Sequence, residues 1–132
     1  MNITSEWKYI NGKPADVFHF VSDLSNLGSL MPEQVVNWQA TSETCSFTIK
    51  GMTDLKLKID EKRQPTFMRL IPDGKSPMEF ELLFHVREAG NSTSGARIEM
   101  NADLNPMLAL MAKKPLQNLV NVIVDKLSAQ KF

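Results

Sequence analysis

The 132-residue sequence contains one cysteine, two histidines and no excess of either charge, and each of these scarcities excludes a class of protein. A single cysteine cannot form an intrachain disulfide, so the chain is no disulfide-stabilised scaffold and suits a reducing compartment. Fifteen basic residues balance fifteen acidic residues, so no overall field draws the chain to nucleic acid or to an anionic membrane. We therefore expect a cytoplasmic protein without a nucleic-acid partner.

Long apolar runs are also missing. A membrane-spanning helix needs about 20 consecutive apolar residues, and no window of the sequence approaches that length. The opening Met1–Glu6 has neither the basic residues nor the apolar run of a secretory leader. We therefore expect no integral membrane association.

Residues that carry catalysis or bind metals are few and scattered. His19 and His85 do not have a zinc-binding spacing, and both are expected to face solvent. Strand alternation places Cys45 among apolar residues, which favours a buried, inert thiol over a nucleophile. A nucleophile motif or a phosphate-binding loop is also missing. No catalytic residue, metal ligand or cofactor is predicted.

The first forty residues contain a strand followed by short helices. Polar and apolar residues alternate over Ile3–Ile10, which predicts a strand. Pro14 suits the first position of a short amphipathic helix that runs to Leu24. Leu27–Met31 indicates a second short turn of helix, which stops before Pro32.

The middle of the chain, from Gln34 to Leu104, alternates almost throughout and predicts six strands. Their hairpin-length links indicate an antiparallel sheet. The apolar faces are Val36, Trp38 and Ala40; Cys45, Phe47 and Ile49; Leu55, Leu57 and Ile59; one face of Thr66–Ile71; Met78, Phe80, Leu82, Phe84 and Val86; and Ile98, Met100, Ala102 and Leu104.

At Asn105 the apolar period changes from two to between three and four, which predicts a long C-terminal helix. Asn105 is a good N-cap and Pro106 a good first helical residue. An apolar stripe continues to Leu127, although Pro115 inside it removes one helical hydrogen bond.

The segment from Lys13 to Leu24, KPADVFHFVSDL, followed by Leu27, Leu30, Met31 and Pro32, resembles the opening of the START-like SRPBCC superfamily. This superfamily includes polyketide cyclase/dehydrase-like proteins, relatives of a carbon-monoxide-dehydrogenase component and the birch-pollen-allergen helix-grip fold. The run from Pro106 to Leu127 resembles its closing helix, so the resemblance covers essentially the whole chain. Its motifs are apolar and turn patterns, which specify a fold much better than a chemistry.

Pattern and resemblance together predict an α+β helix-grip fold. We expect one domain over residues 1–132, in which a curved seven-stranded antiparallel sheet wraps a long C-terminal helix in the order β-α-α-β-β-β-β-β-β-α. A curved sheet does not pack flush along a whole helix, so large side chains or a cavity must fill the space between them. We expect a cavity of a few hundred Å³.

Large apolar side chains are the candidates to line this cavity, although any one of them could simply fill the core. These residues are Phe20, Leu24, Met31, Trp38, Phe47, Leu57, Phe80, Phe84, Met100, Met107 and Met111. The sequence has eight methionines, and methionine adapts to irregular apolar shapes. We expect the cavity mouth between Leu27–Met31 and Met107–Met111.

Arg69 is the one charged residue that could enter the cavity. It alternates with Phe67 and Ile71, so it would face inward if they do and could bind a carboxylate or a carbonyl there. If Met68 and Leu70 face inward instead, Arg69 lies on the surface.

Three functions remain open at this point. The first is binding of a small hydrophobic ligand, such as a lipid, isoprenoid or polyketide-like molecule. The second is a polyketide cyclase or dehydratase, as the resemblance implies, which would need polar groups inside the cavity. The third is a protein-interaction or assembly role, which a filled core and an exposed apolar patch would favour. The oligomeric state and the ligand's identity are left undetermined.

Overall fold

The computed structural model describes residues 1–76 and 79–132, and its elements follow the predicted order. The elements are β1 Asn2–Thr4, β2 Lys8–Ile10, α1 Pro14–Val21, the 3₁₀ helix η1 Leu24–Leu30, β3 Val35–Ala40, β4 Thr44–Ile49, β5 Thr53–Arg63, β6 Phe67–Pro72, β7 Glu79–Gly90, β8 Thr93–Asp103 and α2 Pro106–Ser128. Met78, predicted in the fifth strand of the series, lies outside the described residues.

Within the described residues, the strands form one antiparallel sheet in the order β1-β8-β7-β6-β5-β4-β3, with β2 also paired to β8. Every consecutive pair from β3 to β8 is a direct neighbour, as the short links require. The path begins at β3 and ends at β8, whose outer side holds the short strands of the N-terminus. α1 and η1 connect these strands to β3.

The predicted first strand is two strands, so the sheet has eight strands and not the expected seven. Ser5 interrupts it: its N–H donates to the Ile98 carbonyl at 2.8 Å, while its hydroxyl accepts from the Ile98 N–H at 3.0 Å. The Ser5 hydroxyl thus accepts the hydrogen bond from the Ile98 N–H that a backbone carbonyl would accept in a regular strand pair. The interruption also reverses the alternation, so that Ile3 and Ile10 are both buried and Tyr9 is 77% exposed.

Helix α2 covers the sheet with the apolar stripe that the sequence predicts. The Asn105 side chain caps it by accepting from the Leu108 N–H at 2.9 Å, and Pro106 follows as the first helical residue. The buried residues recur at helical spacing and are Ala112, Leu116, Leu119, Val120, Ile123, Val124 and Leu127. They join the inward-facing strand residues in one apolar core.

The apolar stripe yields a stability test. Ile123 and Leu127 are at most 1% exposed, so truncation of either leaves a cavity that the sheet cannot readily close. We expect Ile123→Ala and Leu127→Ala each to lower the free energy of unfolding by about 2–5 kcal/mol in urea titrations. The exposed Lys114→Ala is the matched helix control and should change it by less than about 0.5 kcal/mol. Equal effects in all three variants would contradict this placement of α2.

Candidate functional site

The space between the sheet and α2 is a closed apolar cavity that side chains nearly fill. Its volume is about 10 Å³, which is room for one water molecule at most. It is lined by Leu27, Met31, Trp38, Cys45, Phe47, Leu57, Leu70, Phe80, Leu82, Leu119 and Ile123. The few hundred Å³ expected from the sequence are therefore not found between these described residues.

Trp38 accounts for much of this filling. A β-bulge at Asn37, where φ is 57°, changes the alternation of β3, so Val35 and not the predicted Val36 packs on the core beside Trp38. The indole lies against Gly28, where an added Cβ would be only 2.7 Å from the ring. On its other side it stacks on Phe47, with ring centroids 5.4 Å apart. Two aromatic rings thus occupy space that a ligand would need.

The structure brings part of the predicted lining together. Met31, Trp38, Phe47, Leu57 and Phe80 line the closed cavity. The residues that sequence reasoning did not assign to it are Leu27, Cys45, Leu70, Leu82, Leu119 and Ile123. Cys45, Leu82, Leu119 and Ile123 lie on apolar faces that the alternation and the helix stripe indicated, whereas Leu27 was expected at the cavity mouth and the face of Leu70 was open. The pattern does not give the position of each residue relative to the neighbouring elements, and that position decides which apolar residues touch the gap.

Three other predicted lining residues are buried elsewhere in the core. Leu24, Phe84 and Met100 are each at most 1% exposed but do not line the cavity. Phe20 is only partly buried and packs edge-on against Phe132, with ring centroids 5.6 Å apart. These four side chains support the walls and do not border the gap.

The prediction that Met107 and Met111 line the interior is wrong. They are 74% and 72% exposed, because the buried stripe of α2 begins at Ala112 and both side chains precede it. The helical apolar pattern runs through both parts of the helix without a break. Sequence periodicity identifies an apolar face but cannot say where the covering sheet ends.

An open groove lies beside this exposed start of α2. Its volume is about 530 Å³, and it lies between α2, the β4–β5 turn and the end of β8. Its apolar lining is Met52, Leu104, Leu108, Met111, Ala112 and Pro115, and its polar lining is Lys50, Gly51, Thr53, Asp103 and Asn105. Met111, which the sequence placed at the cavity mouth, therefore lines the groove, whereas Met31 lines the closed interior.

Side-chain hydrogen bonds hold the interior closed on the side of Met31–Gln34. The Gln34 amide donates to the Pro115 carbonyl at 2.8 Å and accepts from the Asn118 amide at 2.8 Å. Lys126 donates from Nζ to the Met31 carbonyl at 2.9 Å. These bonds tie the segment after η1 to α2 next to Met31, which lines the closed cavity.

Arg69 does not enter the cavity. Met68 and Leu70 face inward and are at most 1% exposed, so alternation turns Arg69 to the outer face of the sheet. There its Nη2 donates to Glu61 Oε1 at 2.8 Å, and carboxylates of Asp60 and Glu81 lie within 3.8 Å. The hydrogen bond from Arg69 lowers the pKa of Glu61. The inward alternative for Arg69 is wrong.

Neither histidine lies in the cavity. His19 is exposed on α1, and His85 is on the outer face of the sheet, where its Nε2 lies 2.9 Å from Glu99 Oε1. The expectation that His85 faces solvent holds only in part, since its side chain is 24% exposed. Phe67 lies close to the imidazole, with ring centroids 5.5 Å apart. His85 thus belongs to a surface network that stabilises the sheet.

Metal-binding and membrane-spanning features are both missing from residues 1–76 and 79–132. No group of three or more His, Cys, Asp or Glu side chains there is placed to hold a metal ion. None of the helices in this part of the chain is long and apolar enough to cross a membrane.

The architecture matches solved structures along nearly its whole length. A START superfamily protein from Mycobacterium smegmatis superposes with a TM-score of 0.68 at 10% identity, covering 97% of each chain. The chain has the START-like helix-grip fold. KanY protein gives a TM-score of 0.77 at 12% identity, covering 98% of this chain and 95% of that one. Norcoclaurine synthase from Thalictrum flavum gives 0.71 at 12% identity, covering 98% and 84%.

At these levels of sequence identity, the similarity supports a shared fold but not a shared activity. A scan against protein-family models found no match, and a search of curated protein sequences found none either.

The buried thiol of Cys45 provides a test of whether the cavity opens. Burial raises the pKa of Cys45 to about 12, although a hydrogen bond from the Leu57 backbone opposes the rise. A protonated, 5% exposed thiol is a poor nucleophile. We expect Ellman's reagent to leave native Cys45 unmodified at neutral pH and to react at once when urea unfolds the chain. Rapid modification of the native protein would show that the cavity opens.

The outer face yields a pH test at Glu99. Burial opposes its ionisation, but hydrogen bonds from His85 and Asn2 and the charges of His85 and Arg97 outweigh this and lower the pKa. Since the folded pKa lies below the unfolded value, the stabilisation is present above about pH 4.3 and is lost as the pH falls through the folded pKa. We expect Glu99→Gln to lower the free energy of unfolding at neutral pH by up to about 1 kcal/mol.

The difference between Glu99→Gln and wild type should then shrink in urea titrations below about pH 4. The exposed Glu43→Gln serves as the control and should follow the wild type at every pH. A Glu99→Gln difference that is independent of pH would contradict the assignment of the stabilisation to the ionised carboxylate.

Proposed function

We propose that the chain binds a small hydrophobic molecule, of the lipid, isoprenoid or polyketide-like class, in the groove beside the start of α2. The observation that carries the proposal is the groove's size and lining. Its volume of about 530 Å³ lies within the range of about 300–1,000 Å³ that small-molecule sites occupy. The nearly filled interior offers no comparable volume around the described residues.

The side chains of the groove suit such a ligand. Leu108 and Met111 are 49% and 72% exposed, so an apolar molecule that covers them removes apolar surface from water. Met52 lies opposite on the β4–β5 turn, and methionine side chains adapt to ligands of differing shape. Lys50 at the rim would favour an anionic headgroup, while Asp103 at the other side would disfavour one placed there.

The interior can extend this site if the start of α2 moves. Pro115 has no N–H, so the Met111 carbonyl lacks the helical partner that residue 115 would supply. The turns before Pro115 therefore open at lower cost than the turns after it. The hydrogen bonds of Gln34 to Pro115 and Asn118 must break for a ligand to reach the apolar lining behind them. In this proposal the groove is the entrance and the interior expands on binding.

Catalysis of the cyclase or dehydratase type has less support. Such a reaction needs an acid or base beside the substrate. The titratable residue that lines the closed cavity is Cys45, whose raised pKa keeps it protonated. Arg69, the polar group considered from the sequence, lies on the outer face. We therefore propose a cytoplasmic binding protein in preference to an enzyme, for which Lys50 and Asp103 of the groove would be the available acid–base groups.

A protein-interaction role is the second candidate, because one observation favours it. The interior is nearly filled, while Met107, Leu108, Leu110 and Met111 are exposed together on the first turns of α2. An exposed apolar patch of this kind often marks a contact surface. The two candidates differ in whether a small probe competes for the groove.

A larger side chain at position 111 tests the proposal that the groove binds a ligand. We expect Met111→Trp to fill the groove and weaken binding of a fluorescent fatty acid about tenfold or more, equivalent to at least about 1.4 kcal/mol. The matched control is Leu110→Trp, one residue earlier, which is 82% exposed and does not line the groove. Its affinity for the probe should equal that of the wild type.

Near-UV and far-UV circular dichroism should be unchanged in both variants, so that a loss of binding reports the groove and not the fold. If Met111→Trp binds the probe as the wild type does, the ligand site lies elsewhere. If wild type binds no apolar probe at all, the protein-interaction role becomes the better explanation of the exposed apolar residues.

A further inference from the structure

The first turns of α2 present exposed apolar side chains that extend beyond the groove. Met107 and Leu110 are 74% and 82% exposed, and neither lines the groove. They are three residues apart, so they lie on one face of the helix, and Met111 lies on the same face one turn beyond Met107. We call these three residues the apolar tip.

This face changes character abruptly along the helix. Positions that follow the apolar tip at helical spacing carry Gln117, Asn118, Asn121 and Asp125, as expected for a helix face in water. The large apolar side chains are confined to the turns before Pro115. Large apolar side chains are therefore exposed at the apolar tip and not along the whole solvent-facing side of α2.

Positive charge accompanies the apolar tip. Lys113 and Lys114 follow it directly, and both are exposed. They are the charged residues of the stretch 104–124, which contains no Asp or Glu. Lys50 lies across the groove, where Asp103 is the acidic residue of the lining. The apolar tip thus combines flexible apolar side chains with a local excess of lysine, although the whole chain carries no net charge.

We propose that the apolar tip is a docking surface for an anionic lipid membrane. Met107, Leu110 and Met111 would enter the boundary between headgroups and acyl chains, while Lys113 and Lys114 would reach the lipid phosphates. This inference goes beyond the proposed function and does not depend on it, since Met107 and Leu110 stand outside the groove and Met111 is the residue that the two surfaces share.

The composition of the apolar tip favours a lipid surface over a protein partner. The centres of protein interfaces are enriched in aromatic residues, methionine and arginine and depleted in lysine. The methionines of the apolar tip therefore suit either kind of partner, and the lysines beside them decide between the two. The apolar tip and the residues after it have methionine, leucine and lysine and no aromatic side chain. Lysine beside exposed apolar residues is instead the combination that anionic membranes attract, with each basic side chain near the surface raising binding about fivefold.

Vesicle flotation tests the inference with the full chain. We expect wild type to float with vesicles of phosphatidylcholine and phosphatidylserine, but not with pure phosphatidylcholine, and to be released by high salt. Two variants, Met107→Asn/Leu110→Asn and Lys113→Glu/Lys114→Glu, should each bind the anionic vesicles at least about tenfold more weakly.

Matched controls separate the apolar tip from general effects. Tyr9→Asn removes an apolar side chain that is 77% exposed on β2, and Lys58→Glu/Lys62→Glu makes the same change in net charge on β5. Both should bind the anionic vesicles as wild type does. Affinity for the fluorescent fatty acid in solution should be unchanged in Met107→Asn/Leu110→Asn, so failure of membrane docking is distinguishable from failure of the ligand site.

Three results would overturn the inference. Wild type could fail to float with the anionic vesicles, or the two variants could bind them as wild type does. Analytical ultracentrifugation could instead show a dimer that Met107→Asn/Leu110→Asn converts to monomer without weakening vesicle binding. That third result would assign the apolar tip to a second copy of the chain.

Discussion

Burial of the α2 stripe against the concave face of the sheet is the interaction on which the rest of the structure depends. The sheet is apolar on that face, and α2 supplies Leu116, Leu119, Val120 and Ile123, each at most 1% exposed. Each such side chain contributes about 1.5–3 kcal/mol when it leaves water. The apolar face of the sheet and the apolar stripe of α2 must both leave water, and packing them against each other satisfies both.

The same packing explains why the interior is nearly full. Trp38 and Phe47 stack beneath α2, and Gly28 lets the indole approach the 3₁₀ helix closely. Close packing of this kind leaves voids no larger than a water molecule. The groove of about 530 Å³ lies outside this packed interior, beside the start of α2. The groove and the apolar tip both include residues of α2 that precede its buried stripe.

The methionines show how one pattern can have two outcomes. Met31 and Met111 occupy positions that the sequence treats alike, on apolar faces of helical segments. Met31 is 9% exposed and lines the interior, whereas Met111 is 72% exposed and lines the groove. The difference is whether a strand lies opposite, and only long-range contacts decide this. The proposed ligand site and docking surface both consist of residues that those contacts leave uncovered.

Local period and propensity were enough to predict the order of elements, the antiparallel sheet, the Asn105 cap and the buried stripe through Leu127. Which residues of an irregular strand face the core was decided by long-range packing, because a local sequence period does not contain that information. The Ser5 interruption and the Asn37 bulge each shift alternation by one residue, which reverses the faces that follow. The sequence did not decide whether Arg69 faces inward or outward, because apolar residues would face the core in either case. Inward packing of Met68 and Leu70, with three carboxylates outside, selected one parity.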